Sequence, residues 1–294
     1  MKMMRPLRAL GLPVFFLFLL PTVPALAQMR LQSTFPTTRT HDTHMPPDSS
    51  PRTHRHEEEL HFSHPLVTES PTPDTKFRFD YAWSTLDARE SGYTDNLFRI
   101  GGEYAFHRSF SIEVEAPFVR SDPNGASAAS ALGNVEVAFK FANYAFEEQG
   151  LLLGYGLELG LPTGDASKGI GSDHIVDLEP FFYAGLKRGR FEAVGFAIFG
   201  IPTNQRPGEE IDTEFGYNLS VLYHVSRRVQ GLLEFDGATT LSGAETEAAT
   251  QVTPGLKFRP LARSPLLLGV GLSLPVSGDR SFDARGLVSL FYHL

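Results

Sequence analysis

The chain has 294 residues and a formal net charge of -8, with 34 acidic against 26 basic side chains and no cysteine. The acidic balance excludes a nucleic-acid partner, which needs a basic face. The missing thiols exclude a disulfide framework, a thiolate nucleophile and a cysteine-based zinc site.

Lys2, Arg5 and Arg8 precede the apolar run "GLPVFFLFLL", and "ALA" at Ala25 to Ala27 supplies small residues at a cleavage point. The run is short and broken by Pro13, Pro21 and Pro24, so residues 1–27 read as a cleaved signal peptide rather than a membrane anchor. Residue 28 is Gln, not Cys, which argues against a lipid-modified start. No later stretch has the roughly 20 continuous apolar residues of a spanning helix. Entry into a membrane therefore requires a closed β-barrel, the other architecture that pairs every backbone group in lipid.

Residues 28–75 are rich in Pro, Ser, Thr and Asp and lack apolar periodicity, the composition of a disordered lead. Six of the chain's 10 histidines lie there: His41, His44, His54, His56, His61 and His64. Neutral imidazoles at these positions could capture a borderline divalent metal. A soluble tether with incidental histidines accounts for them more simply, because their spacing matches no closed metal site. No cofactor is expected.

From Lys76 onward the periodicity is two. Strands are predicted over 76–86, 96–106, 109–120, 132–143, 151–162, 174–186, 190–200, 212–224, 228–238, 249–259, 265–275 and 282–294. Most run about 11 residues, twice the usual globular strand. At about 3.3 Å per residue and a tilt near 40°, each crosses roughly 25 Å, the height of an outer-membrane apolar band. The connections alternate in length. "HR" at 107–108, "KRG" at 187–189 and "VSRR" at 225–228 are tight, whereas "PTGDASKGIGSD" from Pro162 and "PTNQRPGEEID" from Pro202 are long. Tight turns on one rim and longer loops on the other are the barrel pattern, with turns and both termini periplasmic. The predicted fold is all-β: a transmembrane antiparallel up-and-down barrel of about twelve strands over residues 76–294.

Alternation assigns the two faces. Phe77, Phe79, Tyr81 and Trp83 face lipid, as do Phe110, Ile112, Val114 and Phe118, and Leu151 through Leu161 at every second position. Tyr104, Phe106, Phe110, Tyr144, Tyr183, Phe191, Tyr223, Phe258 and Tyr292 gather near the tight turns, as an interfacial girdle would. The inner face holds Arg78, Arg99, Glu113, Glu115, Glu136, Lys140, Glu158, Asp177, Glu179, Glu214, Arg228, Glu234 and Asp236, together with Lys76, Glu103, Glu192 and Lys257. Such charges are too costly for a dry sandwich core. Two arrangements accept them: a water-filled lumen, in which the acidic excess favours cations, or a closed interior tying Arg78, Arg99, Lys140 and Arg228 to carboxylates. Gly154, Gly156 and Gly160 leave space on this face. The chain ends on "ARGLVSLFYHL", an alternating strand of the kind that the barrel-assembly machinery reads, with Leu294 where phenylalanine is usual.

"LGLPTGDASKGIGSDHIVDLEPFFYAG" and the preceding "SIEVEAPFVR" resemble the outer-membrane β-barrel family first linked to the meta-pathway of phenol degradation. The resemblance implies a monomeric, channel-like barrel in the outer membrane of a Gram-negative bacterium. It also implies passive passage of small solutes, aromatic or hydrophobic ones among them, and brings no catalytic residues. Pro162 and Gly164-Asp165 read as a strand end and loop start. "GIGSD" is not a phosphate cradle, because no helix follows it. A hydrolase would have to use His107 with Ser109, or Ser172 with His174 and Asp177. Neither set has a nucleophile turn or oxyanion donors, so no enzyme activity is expected. A metal-binding barrel using the histidine lead, and a closed structural barrel, remain the other readings.

Overall fold

The computed structural model describes residues 60–86, 92–124, 127–207, 209, 211–242, 248–261, 264–277 and 281–294. The signal-peptide expectation, most of the lead and four of its histidines (His41, His44, His54 and His56) lie outside the described residues. Among the described residues no helix is long and apolar enough to cross a membrane.

The strands are β1 (Lys76–Leu86), β2 (Tyr93–His107), β3 (Phe110–Pro123), β4 (Ala129–Leu132), β5 (Val135–Asn143), β6 (Leu151–Leu161) and β7 (Val176–Arg188). They continue with β8 (Phe191–Thr203), β9 (Glu214–His224), β10 (Val229–Thr240), β11 (Ala248–Phe258), β12 (Leu266–Pro275) and β13 (Ala284–His293). Apart from β4 and β5, each pairs antiparallel with its chain neighbours, and β1 also pairs with β13, so that the sheet closes on itself. β4 and β5 both pair with β3 and form one interrupted stave, which makes this a closed 12-strand barrel.

The interruption splits the strand predicted at 132–143, and its cause is local. The Gly133 amide donates to Pro117 O at 2.8 Å, and Asn134 turns its side-chain oxygen to the Ser172 amide at 2.8 Å. Gly164 and Gly171 (φ 66°) crowd that oxygen so closely that a Cβ on either would overlap it. The "PTGD…GIGSD" loop is thereby folded down against the barrel wall.

The outer surface is apolar on every stave. Ile100 is 62% exposed and Phe77 58%, with Trp83, Val114, Phe139, Tyr155, Phe182, Leu219, Phe235, Val270 and Val288 also in the open. A continuous belt of this kind far exceeds the apolar patch a soluble monomer shows. The interior is the reverse: Lys76, Arg78, Glu103, Glu113, Lys140, Glu192, Glu234 and Lys257 are all buried. Two face assignments need correction. Tyr183, expected in the outer girdle, points inward and is buried, its hydroxyl donating to Phe141 O at 2.7 Å. Gly154 and Gly156 do not open the lumen but lie under the Tyr183 and Phe181 rings, while Gly160 sits against Asp177. β7 departs from strict apolar-out, polar-in alternation because large rings fill the space those glycines leave.

Residues 60–75 are also a correction. Expected as the end of a disordered lead, they are packed inside the barrel, with Phe62, His64, Leu66, Thr68, Ser70 and Thr72 buried. The segment doubles back on itself: the Phe62 amide donates to Thr72 Oγ1 at 2.9 Å and Ser70 Oγ to Phe62 O at 3.2 Å. It therefore enters from the end where β1 begins and β13 finishes, and its tip at Val67 to Glu69 points up the lumen.

Candidate functional site

The lumen has two parts, a plugged lower half at the short-turn end and a cavity above it. The plug has no strand ladder of its own, so its backbone groups take partners from the wall. Glu234, fully buried on β10, accepts the Leu66 amide at 2.7 Å, Val67 at 3.1 Å and Thr68 at 3.2 Å, as well as Ser220 Oγ at 2.8 Å. Three successive amides around one carboxylate form a charge-assisted clamp. Glu192 on β8, also fully buried, takes the Ser63 amide at 2.7 Å and pairs with Lys187 (2.9 Å) and His224 (2.8 Å). The plug's carbonyls go to cations: His61 O to Lys187 (2.7 Å), Leu66 O to Arg78 (2.5 Å) and His64 O to Lys257.

Apolar anchors complete the fit. Phe62 packs with Ala142, Leu152 and Val194, and Leu66 with Leu222, Leu232 and Phe291. The wall is bare opposite each anchor. A Cβ on Gly185 would lie 2.7 Å from the Phe62 ring, and one on Gly255 or Gly271 would lie 2.8 or 2.9 Å from Leu66. The inner-face glycines of β7, β11 and β12 are thus the imprint of the plug.

Beside the tip, Glu69 joins an ion-pair cluster with Arg78 (2.9 Å), Lys76 (3.3 Å) and Lys140 (3.5 Å). Lys76 also reaches Glu103 at 2.7 Å, and Lys140 reaches Glu103 at 3.2 Å and Glu113 at 3.3 Å. With Asp80, which Arg78 also reaches at 2.7 Å, three largely buried cations and four carboxylates offset one another here.

Above the tip lies a cavity of about 470 Å³. Its floor is Val67 to Glu69, and its walls carry Glu113, Glu115, Glu136, Glu158 and Asp236 against Arg99 and Arg285, with Phe196 and Phe282 as apolar faces. Glu115 stands directly across from Glu136, and Glu158 from Glu179. The chamber is lined mainly by carboxyl groups; Arg99 pairs with Glu115 at 3.3 Å, and Glu69 and Glu113 are paired with the cations of the cluster below. Glu214 is exposed at the loop end of β9.

Most of the residues read as inner-face do point inward, in one group or the other. Arg228 does not: it is exposed in the turn before β10, because the β9–β10 hairpin closes one residue later than the periodicity placed it. Of the two candidate hydrolytic sets, neither shows a hydrogen bond between a serine hydroxyl and an imidazole. Ser172 Oγ accepts the Ile175 amide at 3.0 Å, His174 is held by Glu209 and Asp173 at 2.7 Å each, and His107 Nδ1 accepts the Ser109 amide at 3.1 Å. The Glu209 and Asp173 carboxylates raise His174 above the ordinary histidine pKa, Glu209 contributing most. Glu69, Asp74 and His293 were not singled out from the sequence. Glu69 and Asp74 lie in the aperiodic segment, and His293 is one residue from the end of the chain.

No family model matches the chain, and no curated protein matches it. Solved structures do. An outer-membrane channel from Pseudomonas putida F1 superposes with a TM-score of 0.60 at 17% identity, over 76% of this chain and 96% of that one. The NanC porin superposes with a TM-score of 0.52 at 8% identity, over 75% and 98%. The chain shares with them the closed antiparallel β-barrel fold.

Proposed function

We propose that the protein is an outer-membrane channel that passes small solutes and rests in a plugged state. The observation that carries this reading is a closed barrel with an apolar exterior, whose interior is a hydrophilic chamber stopped by a segment of its own chain. In this reading the barrel is a monomer of the Gram-negative outer membrane, inserted by the barrel-assembly machinery, with turns and both termini periplasmic. The chamber opens toward the outside, and the plug closes the periplasmic half.

The chemistry of the chamber sets the solute class. Six carboxyl side chains against two arginines disfavour anions. Phe196, Ile198 and Phe282 offer faces to an apolar body. Neutral or cationic small molecules with an aromatic or hydrophobic part fit both features, consistent with the resemblance to the phenol-pathway barrels. Liposomes containing the mature chain are the test. Plug-weakened variants should admit phenol-like neutral or amine-bearing solutes faster than carboxylated aromatics of the same size. Equal exclusion of all of them by every variant, with the barrel folded, would leave the closed structural barrel as the correct reading.

A further inference from the structure

The geometry points to a divalent transition-metal site, of the zinc type, at the short-turn mouth of the lumen, built by His61, His64, Asp74 and His293. Three imidazole nitrogens converge on the single oxygen Asp74 Oδ2: His293 Nδ1 at 2.6 Å, His64 Nε2 at 3.3 Å and His61 Nε2 at 3.5 Å. One carboxylate oxygen has two lone pairs, so it is oversupplied with donors. A tetrahedral zinc ion with bonds of about 2.0–2.1 Å has ligand-to-ligand edges of roughly 3.3 Å, the separation that His61 and His64 already keep from Asp74. His64, Asp74 and His293 hold one ligand atom each within 4.8 Å of one another, with His293 at hydrogen-bond distance and needing to move out by about 0.7 Å, whereas His61 has to swing toward the other two imidazoles to supply the fourth ligand.

Two further features support the site. Asp74 Oδ1 is occupied by the Thr75 amide at 2.8 Å, which aims Oδ2 at the histidines as an outer partner does in metal sites. His293 Nε2 is buried and has no hydrogen-bond partner among the described residues, so its ring can turn toward an ion without breaking a contact on that side. Lys76 Nζ lies 3.2 Å from His64 Nδ1, but its ammonium is also satisfied by Glu69, Glu103 and Glu113 and can give up the imidazole. Three nitrogens and one carboxylate oxygen select zinc, copper or nickel over magnesium or calcium.

The four ligands come from two bodies. His61, His64 and Asp74 belong to the plug and its exit, and His293 to the last strand. A bound ion therefore fastens the plug to the wall independently of the Glu234 and Glu192 clamps. The inference does not rest on transport.

The test is zinc titration of the full mature chain in detergent by calorimetry. One tight equivalent is expected. It should persist when His41, His44, His54 and His56 are all changed to alanine, and weaken at least tenfold in Asp74→Asn and His293→Ala. His61→Ala, on a half-exposed ring, gives the same reading should His293→Ala fail to fold. A tight equivalent that survives Asp74→Asn together with His61→Ala, or that disappears with the four lead histidines, would overturn the site.

Discussion

Glu234→Gln should release the plug. The amide keeps the volume and one acceptor oxygen, so Leu66 and Val67 can still donate to it, now to a neutral group. The other oxygen becomes an NH2 facing the Thr68 amide, which lies 3.2 Å from Oε2 in the native protein. Ser220 Oγ, at 2.8 Å, can rotate and accept instead. One charge-assisted bond is lost and two are weakened. At roughly 1.5–3 kcal/mol for a bond to a charged group and about 1 for a neutral one, the clamp loses about 3 kcal/mol. That corresponds to a shift of roughly a hundredfold in the open population. The chain contains no cysteine, so Ser70→Cys, at a site 1% exposed on the plug, provides a unique thiol. Its reaction with a bulky maleimide tracks the open fraction when opening and closing are fast relative to labelling. The thiol should react about a hundred times faster in Glu234→Gln than with Glu234 intact. Rates equal within twofold, in a barrel that keeps its folded electrophoretic mobility, would show that Glu234 does not hold the plug.

Gly269→Ala drives a methyl into Leu66 and should raise the same labelling rate by the equivalent of about 1–3 kcal/mol of overpacking; in a Leu66→Ala background the same substitution should add little, and an equal rise there would place the strain elsewhere. Leu157→Arg, on a residue 40% exposed on the outer face, should cost about 2–4 kcal/mol of folding stability in lipid vesicles, measured by denaturant titration. Tolerance of that arginine equal to tolerance of Glu158→Gln next door would invert the faces. The His174 imidazole, with its pKa raised chiefly by Glu209, supports the loop contact fully below the ordinary histidine pKa and loses it as pH rises through the elevated one. Its ring-proton NMR titration midpoint should fall in Glu209→Gln, and an unmoved midpoint would reject the pairing.

The barrel was legible because each stave repeats one binary pattern long enough to be counted, and because the connections alternate in length. The plug was hidden for the complementary reason. A segment such as "LHFSHPLVTESPTPDT" has, besides its prolines, apolar residues only at Leu60, Phe62, Leu66 and Val67, too few and too irregularly spaced for either strand or helix periodicity. Its order comes from acceptors on other strands, Glu192 and Glu234, 129 and about 170 residues away. The glycines carried a signal that alternation alone could not interpret. Gly185, Gly255 and Gly269 sit on a face otherwise occupied by charged or large residues, which marks a place where something else packs. Tyr183 was misplaced because the space over Gly154 accepts a ring from inside as readily as the membrane interface does from outside.

The two interiors that the inner-face charges permit are not exclusive. With the plug in place, Lys76, Arg78 and Lys140 are neutralised by Glu69, Glu103 and Glu113, Glu234 is held by backbone amides, and Lys257 by the His64 carbonyl. With the plug withdrawn, the same side chains face water, which solvates them at little cost. An apolar inner face would support only the plugged form, since emptying it would expose hydrocarbon to water. A fully hydrated inner face without Gly185, Gly255 and Gly269 would support only the open one, since Phe62 and Leu66 would have nowhere to sit. Charged side chains interleaved with glycine support both, and the balance between them then rests on a few bonds at Glu192, Glu234 and Asp74 rather than on the stability of the barrel.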